Sequence, residues 1–359
     1  MRLPPGLIAR DAATTTTLML QKIATAAQLA GSFNLSRVWS ATEATTTDLR
    51  TLDLSNSSNT ANWLYNNWQL ESQMKSSSYN TLAMAPDPFD AASTQLALSV
   101  NYPKGQKGGS QFWPLPWGNV SSNGTLSSGA APRTAVLSYQ VAFAEDWDFV
   151  KGGKLPGLYG GADTGQCTGG DRQLSCFSAR LMWRTGGDGE VYAYSPQYAG
   201  LCEQTDVICG DNVYGISLSR GAFTFKKGAW TTVTELVALN TPPLANGLLY
   251  IYINDTLVLA QTGLVWRTDE SVILSRVLFS TFFGGSSKSY YPPKDEQAYF
   301  KGFTIYSSDS PSNTTGPAVN ATLYMPEGST SSASSSSIAS SWLLPLIIAL
   351  LLHSFFASW

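Results

Sequence analysis

The chain has 359 residues, with 22 Lys and Arg against 25 Asp and Glu, a net charge of −3, and charged residues at only 13% beside 12% aromatics. That balance excludes a disordered chain and a nucleic-acid binder, and it gives an acidic polymer no global attraction, so any pull on a polyanion must come from a few cations gathered in one cleft. The single histidine, His353, lies in a C-terminal hydrophobic run, which leaves the rest of the chain without an imidazole for a triad, a zinc site or a general base.

The first 60 residues are expected to be a weakly ordered segment or an atypical signal region. The opening MRLPPGLIARDAATTTTLML is broken by Arg10 and Asp11, and Lys22 follows soon after, so the uninterrupted apolar stretch of a secretory signal is missing. A short helix is expected within residues 12–33. Residues 34–90, with Ser/Thr clusters and scattered Trp39, Trp63 and Trp68, read either as a lead-in to a folded domain or as poorly ordered chain.

From about residue 61 to 307 the pattern is strand after strand. Leu137, Tyr139, Val141 and Phe143 alternate with Ser138, Gln140 and Ala142. Similar alternation runs through Val233–Leu239, Leu249–Ile253 and Val277–Phe283. No long amphipathic helix interrupts them, and no strand–helix alternation calls for a parallel sheet. The predicted class is therefore all-β, an antiparallel β-sandwich of about 230–250 residues, long enough for a sizeable core.

Four cysteines, Cys167, Cys176, Cys202 and Cys209, allow three disulfide connectivities. Nearest-neighbour pairing is expected, because each bridge then closes a short loop beside a strand. Zinc binding would need tighter C-x-x-C pairs. The cluster Glu145, Asp146 and Asp148 lacks EF-hand spacing, so no metal and no cofactor is expected.

Residues 308–341 are rich in Ser, Thr, Pro and Gly and read as a flexible stalk. The hydrophobic run from Trp342 to Trp359 reads as a GPI-attachment signal; a tail-anchoring transmembrane helix is the alternative, disfavoured by Pro345 and by the lack of basic residues after the run. Seven N-x-S/T sequons, at Asn34, Asn56, Asn119, Asn123, Asn254, Asn313 and Asn320, fit the secretory route that such an anchor requires. The two ends of the chain conflict, and the C-terminal signal is the stronger. A monomeric, extracellular, cell-surface protein is expected.

Chemistry concentrates between Phe149 and Tyr198. In FSARLMWR, Ser178, Arg180, Met182 and Arg184 share one strand face, while Phe177, Ala179, Leu181 and Trp183 share the core face. After the turn TGGDG, Glu190, Tyr192 and Tyr194 share a face. If Arg184 pairs with Glu190, Met182 stands opposite Tyr192 and Arg180 opposite Tyr194. Lys154, in KLPGL, is expected to join that surface. Cation, hydroxyl and phenols together suit chemistry on an acidic sugar, although tyrosines and arginines on an exposed strand face are common without any.

GGKLPGLYGG, the FSARLMWR and GEVYAY strands, YPKGQKGGSQFW (102–113), LSYQVAFAEDWDFVKGG (137–153), RVLFSTFFGGS (276–286) and DEQAYFKGFTIY (295–306) together resemble the alginate-lyase-type proteins of polysaccharide lyase family 14, known from fungi and algal viruses. The likeness covers roughly residues 95–307. It implies a jelly-roll topology, which periodicity alone cannot choose, and β-eliminative cleavage of a 4-linked uronate polymer of alginate or glucuronan type. Joined to the C-terminal pattern, it implies a fungal, GPI-anchored member. Carried over residue by residue, it implies Lys154, Arg180, Tyr192 and Tyr194 as catalytic groups and Ser178 as a substrate-orienting hydroxyl. Arg184, Tyr159 and Tyr198 are expected on the substrate-binding walls, and Tyr290 and Tyr291 as cleft wall or packing. In this scheme Arg180 grips the carboxylate, the two tyrosines share the acid and base roles, and Lys154 adds a charge or serves as base. Two other readings stay open. A glycoside hydrolase would need paired carboxylates across a cleft, and a cell-wall protein could bind acidic glycan without cutting it.

Overall fold

The computed structural model describes residues 22–74, 81–121, 125–127, 129–210, 214–285 and 287–323. Three short helices come first with one strand between them: α1 (Ala26–Ser32), β1 (Arg37–Ser40), α2 (Thr46–Leu52) and α3 (Ser57–Asn67). Fourteen more strands follow: β2 (Leu82–Pro86), β3 (Leu96–Tyr102), β4 (Ser110–Phe112), β5 (Thr134–Phe143), β6 (Gly152–Gly161), β7 (Cys176–Arg184), β8 (Asp188–Tyr194), β9 (Val207–Ile208), β10 (Ile216–Thr224), β11 (Trp230–Ala238), β12 (Gly247–Ile253), β13 (Thr256–Leu264), β14 (Leu274–Phe283) and β15 (Glu296–Ser308).

These strands make two antiparallel sheets packed face to face, a sandwich of jelly-roll type. One sheet runs β13-β12-β11-β5-β15-β3-β2, with β1 added beside β15; the other runs β4-β14-β6-β7-β8-β10-β9. One edge of β15 serves two partners: its first half pairs with β3 and its second half with β1. The alternation seen in the sequence puts Tyr139, Val141, Phe143, Ala179, Leu181, Trp183, Val233 and Val277 into one core between the sheets. Trp147 stacks on Phe283 with ring centroids 5.1 Å apart and meets Trp183 edge-on at 5.7 Å. Such aromatic burial fixes the spacing of the sheets.

Two expected boundaries are corrected. Residues 22–60 are part of the domain and not a weakly ordered leader. Thr25 and Gln28 form a capping box that starts α1. Leu29 of that helix is buried against Tyr250 and Tyr252, on the outer face of the eight-stranded sheet. Leu54 and Leu64 are buried in the main core. The stalk does not begin at 308 either. The Ala245 N–H donates to the Pro317 carbonyl at 2.8 Å, and Gln197 and Thr322 exchange two backbone hydrogen bonds. A Cβ on Gly316 would stand 2.0 Å from the Ala245 carbonyl oxygen, so only glycine lets the chain lie this close. The remaining stalk and the hydrophobic run 342–359 lie outside the described residues.

The hairpin register also differs from the expectation. Ser178 stands opposite Tyr194, Arg180 opposite Tyr192 and Met182 opposite Glu190, a slip of two residues. The turn is tighter than TGGDG suggests. Gly186 and Gly187 both take positive φ, and the second strand already starts at Asp188. A two-residue slip keeps every side chain on its face, so the surface survives the shift.

Candidate active site

The outward face of the seven-stranded sheet carries a cavity of about 400 Å³. Lys154 of β6, Arg180, Met182 and Arg184 of β7, and Tyr192 and Tyr194 of β8 line it together. Adjacent antiparallel strands bring these same-face residues side by side. Phe282 of β14, Lys107, Tyr214 and Tyr290 complete the walls.

Lys154 reaches this surface through a bulge. Lys154 pairs with Met182 but Gly157 with Arg180, so β6 uses three steps where β7 uses two. The irregularity inverts the strand's alternation. Leu155 and Leu158, three apart, are both buried in the core. Lys154 and Tyr159, five apart, both belong to the outward face. A Cβ on Gly157 would lie 1.9 Å from the Ala179 carbonyl oxygen, so the bulge requires glycine there.

Arg180 is 1% exposed. Its only described side-chain partner is Ser280 Oγ, 3.4 Å from Nη1, and its Nε has no partner. None of the described ion pairs includes it. Burial lowers its pKa to about 10, opposed by the neighbouring Tyr194, Tyr192 and Tyr159, so it stays cationic at neutral pH. A buried guanidinium without a carboxylate carries an unrecovered desolvation cost, which an anionic ligand offsets.

Glu190 is the opposite case. Fully buried, it accepts from Arg184 Nε at 2.8 Å, Arg220 Nε at 2.6 Å and Ser217 Oγ at 2.6 Å. Burial works against its charge, but Arg184, Ser217 and Arg220 outweigh that and hold the carboxyl below its usual range. The Arg184–Glu190 pair thus forms diagonally, despite the shifted register. No carboxylate lines the cavity itself among the described residues.

The Lys154 amine sits against Met182 Sδ and 3.7 Å from the centroid of the Tyr192 ring. Burial, then Arg180, Arg184 and Arg220, push its pKa well below the ordinary lysine value, with Glu190 opposing. Both phenols move the other way. Burial raises Tyr192, with Tyr194 adding to it. Burial also raises Tyr194, whose Oη accepts the Gly170 N–H at 2.9 Å. The site therefore presents an amine that holds its proton less tightly than an ordinary lysine, two phenols kept in their protonated form and an unpaired guanidinium.

Three expected wall residues stand outside the cavity lining. Ser178 is fully buried, and its hydroxyl donates to the Cys167 carbonyl at 2.7 Å. Tyr159 is fully buried and donates to the Asp163 carbonyl at 2.7 Å. Both are held by the loop between β6 and β7, closed by the Cys167–Cys176 disulfide. Tyr198 lies beyond the end of β8 and donates to the Gly263 carbonyl of β13 at 2.6 Å. The second bridge joins Cys202 to Cys209, so the cysteines pair as nearest neighbours. Of the wall tyrosines, Tyr290 lines the cavity and Tyr291 does not.

Lys107 and Tyr214 were not expected at the site. Lys107 belongs to YPKGQKGGSQFW, where Gly109 lets the chain press against Thr281 and Phe282. Tyr214 stands outside any strand pattern, and Arg220 reaches Glu190 only because β10 is irregular between Leu218 and Phe223.

The family model for polysaccharide lyase 14 matches residues 90–303 of this chain. The crystal structure of a marine PL-14 alginate lyase from Aplysia kurodai is 35% identical, with 64% of this chain and 88% of that chain covered and a TM-score of 0.56. The structure of alginate lyase Aly36B shares the fold at 19% identity and a TM-score of 0.53, covering 75% of this chain and 96% of that one. Exolysin of Paramecium bursaria Chlorella virus 1 is 27% identical over 217 residues, which is 54% of this chain; the match spans 30% of that protein's length.

Proposed function

The chain belongs to polysaccharide lyase family 14, and from that membership we propose that it cleaves a 4-linked uronate polymer of the alginate or glucuronan type by β-elimination. The observation that carries the reading is the buried Arg180 with no acidic partner among the described ion pairs, standing beside the Lys154 amine and two phenols raised by burial.

The chemistry follows from that arrangement. Arg180 takes the uronate carboxylate, and the charge that builds on it as C5 loses its proton is stabilised by a fixed cation. Lys154, whose pKa burial and the neighbouring arginines lower, accepts the C5 proton through the amine lone pair of its neutral form. The C5–H electrons form the C4–C5 double bond, and the C4–O bond breaks. Tyr194 donates its phenolic proton to the leaving oxygen. Its Oη already accepts the Gly170 N–H, which leaves its own O–H free to point into the cavity. The Tyr192 ring packs against the Lys154 amine, its centroid 3.7 Å away, and keeps it over the sheet. Of the two bases expected from the sequence, a tyrosine or Lys154, the tyrosinate is disfavoured by the burial that raises both phenols. A hydrolase is disfavoured by the absence of carboxylates from the described lining.

Incubation with mannuronate-rich and guluronate-rich alginate and with glucuronan, followed by ultraviolet absorbance, tests the reading. Unsaturated ends are expected from one of the three, and Tyr194→Phe should form them at least about a hundredfold more slowly. Binding of all three polymers without new chain ends would replace the lyase by a glycan-binding protein.

We also propose a cell-surface location through a GPI anchor in a fungal host. The hydrophobic run at 342–359 supports it. So does the exposure of all six sequon asparagines among the described residues, Asn34, Asn56, Asn119, Asn254, Asn313 and Asn320. Release from intact cells by a phosphatidylinositol-specific phospholipase is the expected behaviour.

A further inference from the structure

The bulge in β6 breaks the hydrogen-bond ladder beside Pro156, which has no N–H to offer, so its backbone groups need partners from elsewhere. Those partners come from the other sheet. Glu235 of β11 accepts the Leu158 N–H through Oε2 at 3.1 Å. Tyr139 of β5 donates its hydroxyl to the Pro156 carbonyl at 3.0 Å. Both side chains are fully buried between the sheets, and Glu235 Oε1 has no partner. An acidic residue in an otherwise apolar core is costly and adds nothing to packing that a leucine would not supply. Its placement under the one irregularity that delivers Lys154 to the cavity is the feature to be explained.

We propose that Glu235 and Tyr139 are positioning residues. From the opposite sheet they hold the Leu155–Pro156–Gly157 bulge and so set where the Lys154 amine stands in the cavity. The proposal rests on Lys154 being the proton acceptor, but the geometry it claims exists without substrate. Neither residue touches the cavity. They act through the backbone, by satisfying one donor and one acceptor that a regular strand would have paired with its neighbours. Burial drives the Glu235 carboxyl far toward its neutral form, with the Leu158 N–H opposing. The group therefore serves as an acceptor oxygen without needing charge, and an amide of the same shape can replace it.

Three variants test this: Glu235→Gln, Glu235→Leu and Tyr139→Phe. Two readouts need no activity, namely hydrogen exchange at the Leu158 amide and the acetylation rate of Lys154 followed by peptide mass spectrometry. Steady-state kinetics on the cleaved polymer give a third. Glu235→Gln should keep Leu158 protection, Lys154 acetylation and kcat at the parental level. Glu235→Leu should lose Leu158 protection, alter Lys154 acetylation and lower kcat by about a hundredfold at nearly unchanged KM, because a reacting group displaced by an ångström loses that much. Tyr139→Phe should move the same three readouts in the same direction by less. If Glu235→Leu does not fold, Tyr139→Phe carries the test alone. Parental values for both folded apolar variants would overturn the proposal. So would a Glu235→Gln variant as impaired as Glu235→Leu, since the acceptor geometry would not then be what matters. Changed exchange and acetylation in a protein with no lyase activity at all would uphold the clamp and reject the reading of Lys154.

Discussion

At the residue scale the site is a problem in burial. Burial moves Lys154 toward a base and keeps Tyr194 a protonated acid, as their proposed tasks require, while Arg180 is lowered by the same burial to about 10 yet stays cationic. Lys154 gives a prediction whose sign is fixed. Its pKa in the fold lies well below the ordinary 10.5, so the unfolded chain binds a proton that the folded chain does not. Lys154 therefore costs stability, increasingly as pH falls from the unfolded value to the folded one, and by a constant amount below that. Lys154→Met should abolish product formation and raise the melting temperature, with a gain that widens as pH falls through that window. A melting temperature unchanged across the window would mean that the amine is charged in the fold. In the parent enzyme, activity should fall on acidification through the Lys154 pKa. The alkaline loss should come only above the ordinary phenol range.

At the element scale, strand parity was legible and its interruptions were not. FSARLMWR and GEVYAY alternate cleanly, so Arg180, Arg184, Tyr192 and Tyr194 could be put on one face from the sequence alone. The two-residue slip of the hairpin left that conclusion intact. Lys154 was put on that surface too, with the family likeness behind it, but the bulge that reverses the alternation just after it in KLPGL was not legible. Ser178 and Tyr159 have the right parity, but a covering loop closed by Cys167–Cys176 takes their hydroxyls. Tertiary cover of this kind leaves no local signal. The same loop presents the Gly170 N–H to Tyr194, which makes the bridge functional as well as structural. Replacing both cysteines by serine should cost about 2–3 kcal/mol, as expected for a short closed loop. Activity at a temperature where the variant is still folded should fall too, read as a lower kcat. Full kcat in the folded variant would detach the loop from the chemistry.

At the scale of the whole domain, one sheet carries the chemistry and the other carries the support. The seven-stranded sheet presents the cavity; the eight-stranded sheet supplies Tyr139, Glu235 and the docking surface for the N-terminal helices. The sandwich was legible because long alternating strands dominate the chain. In the N-terminal segment only the short helix within residues 12–33 was legible, found as α1; its place in the domain and α2 were not, because helices of seven residues are too short to show a helical period. Their tertiary contacts, not their propensity, hold them. Removing residues 1–60 strips β1 from β15 and uncovers Tyr250 and Tyr252. The truncated protein should be insoluble or melt well below the parent, and a soluble truncation with the parental melting temperature would contradict this account.

The central claim is elimination driven by a buried, unpaired guanidinium, and product mass tests it most directly. A defined uronate oligosaccharide should give two products whose masses sum to that of the substrate, with no water gained, and Arg180→Ala should lose this reaction. Products whose summed mass exceeds the substrate by one water, or an Arg180→Ala variant that cleaves at the parental rate, would contradict the account.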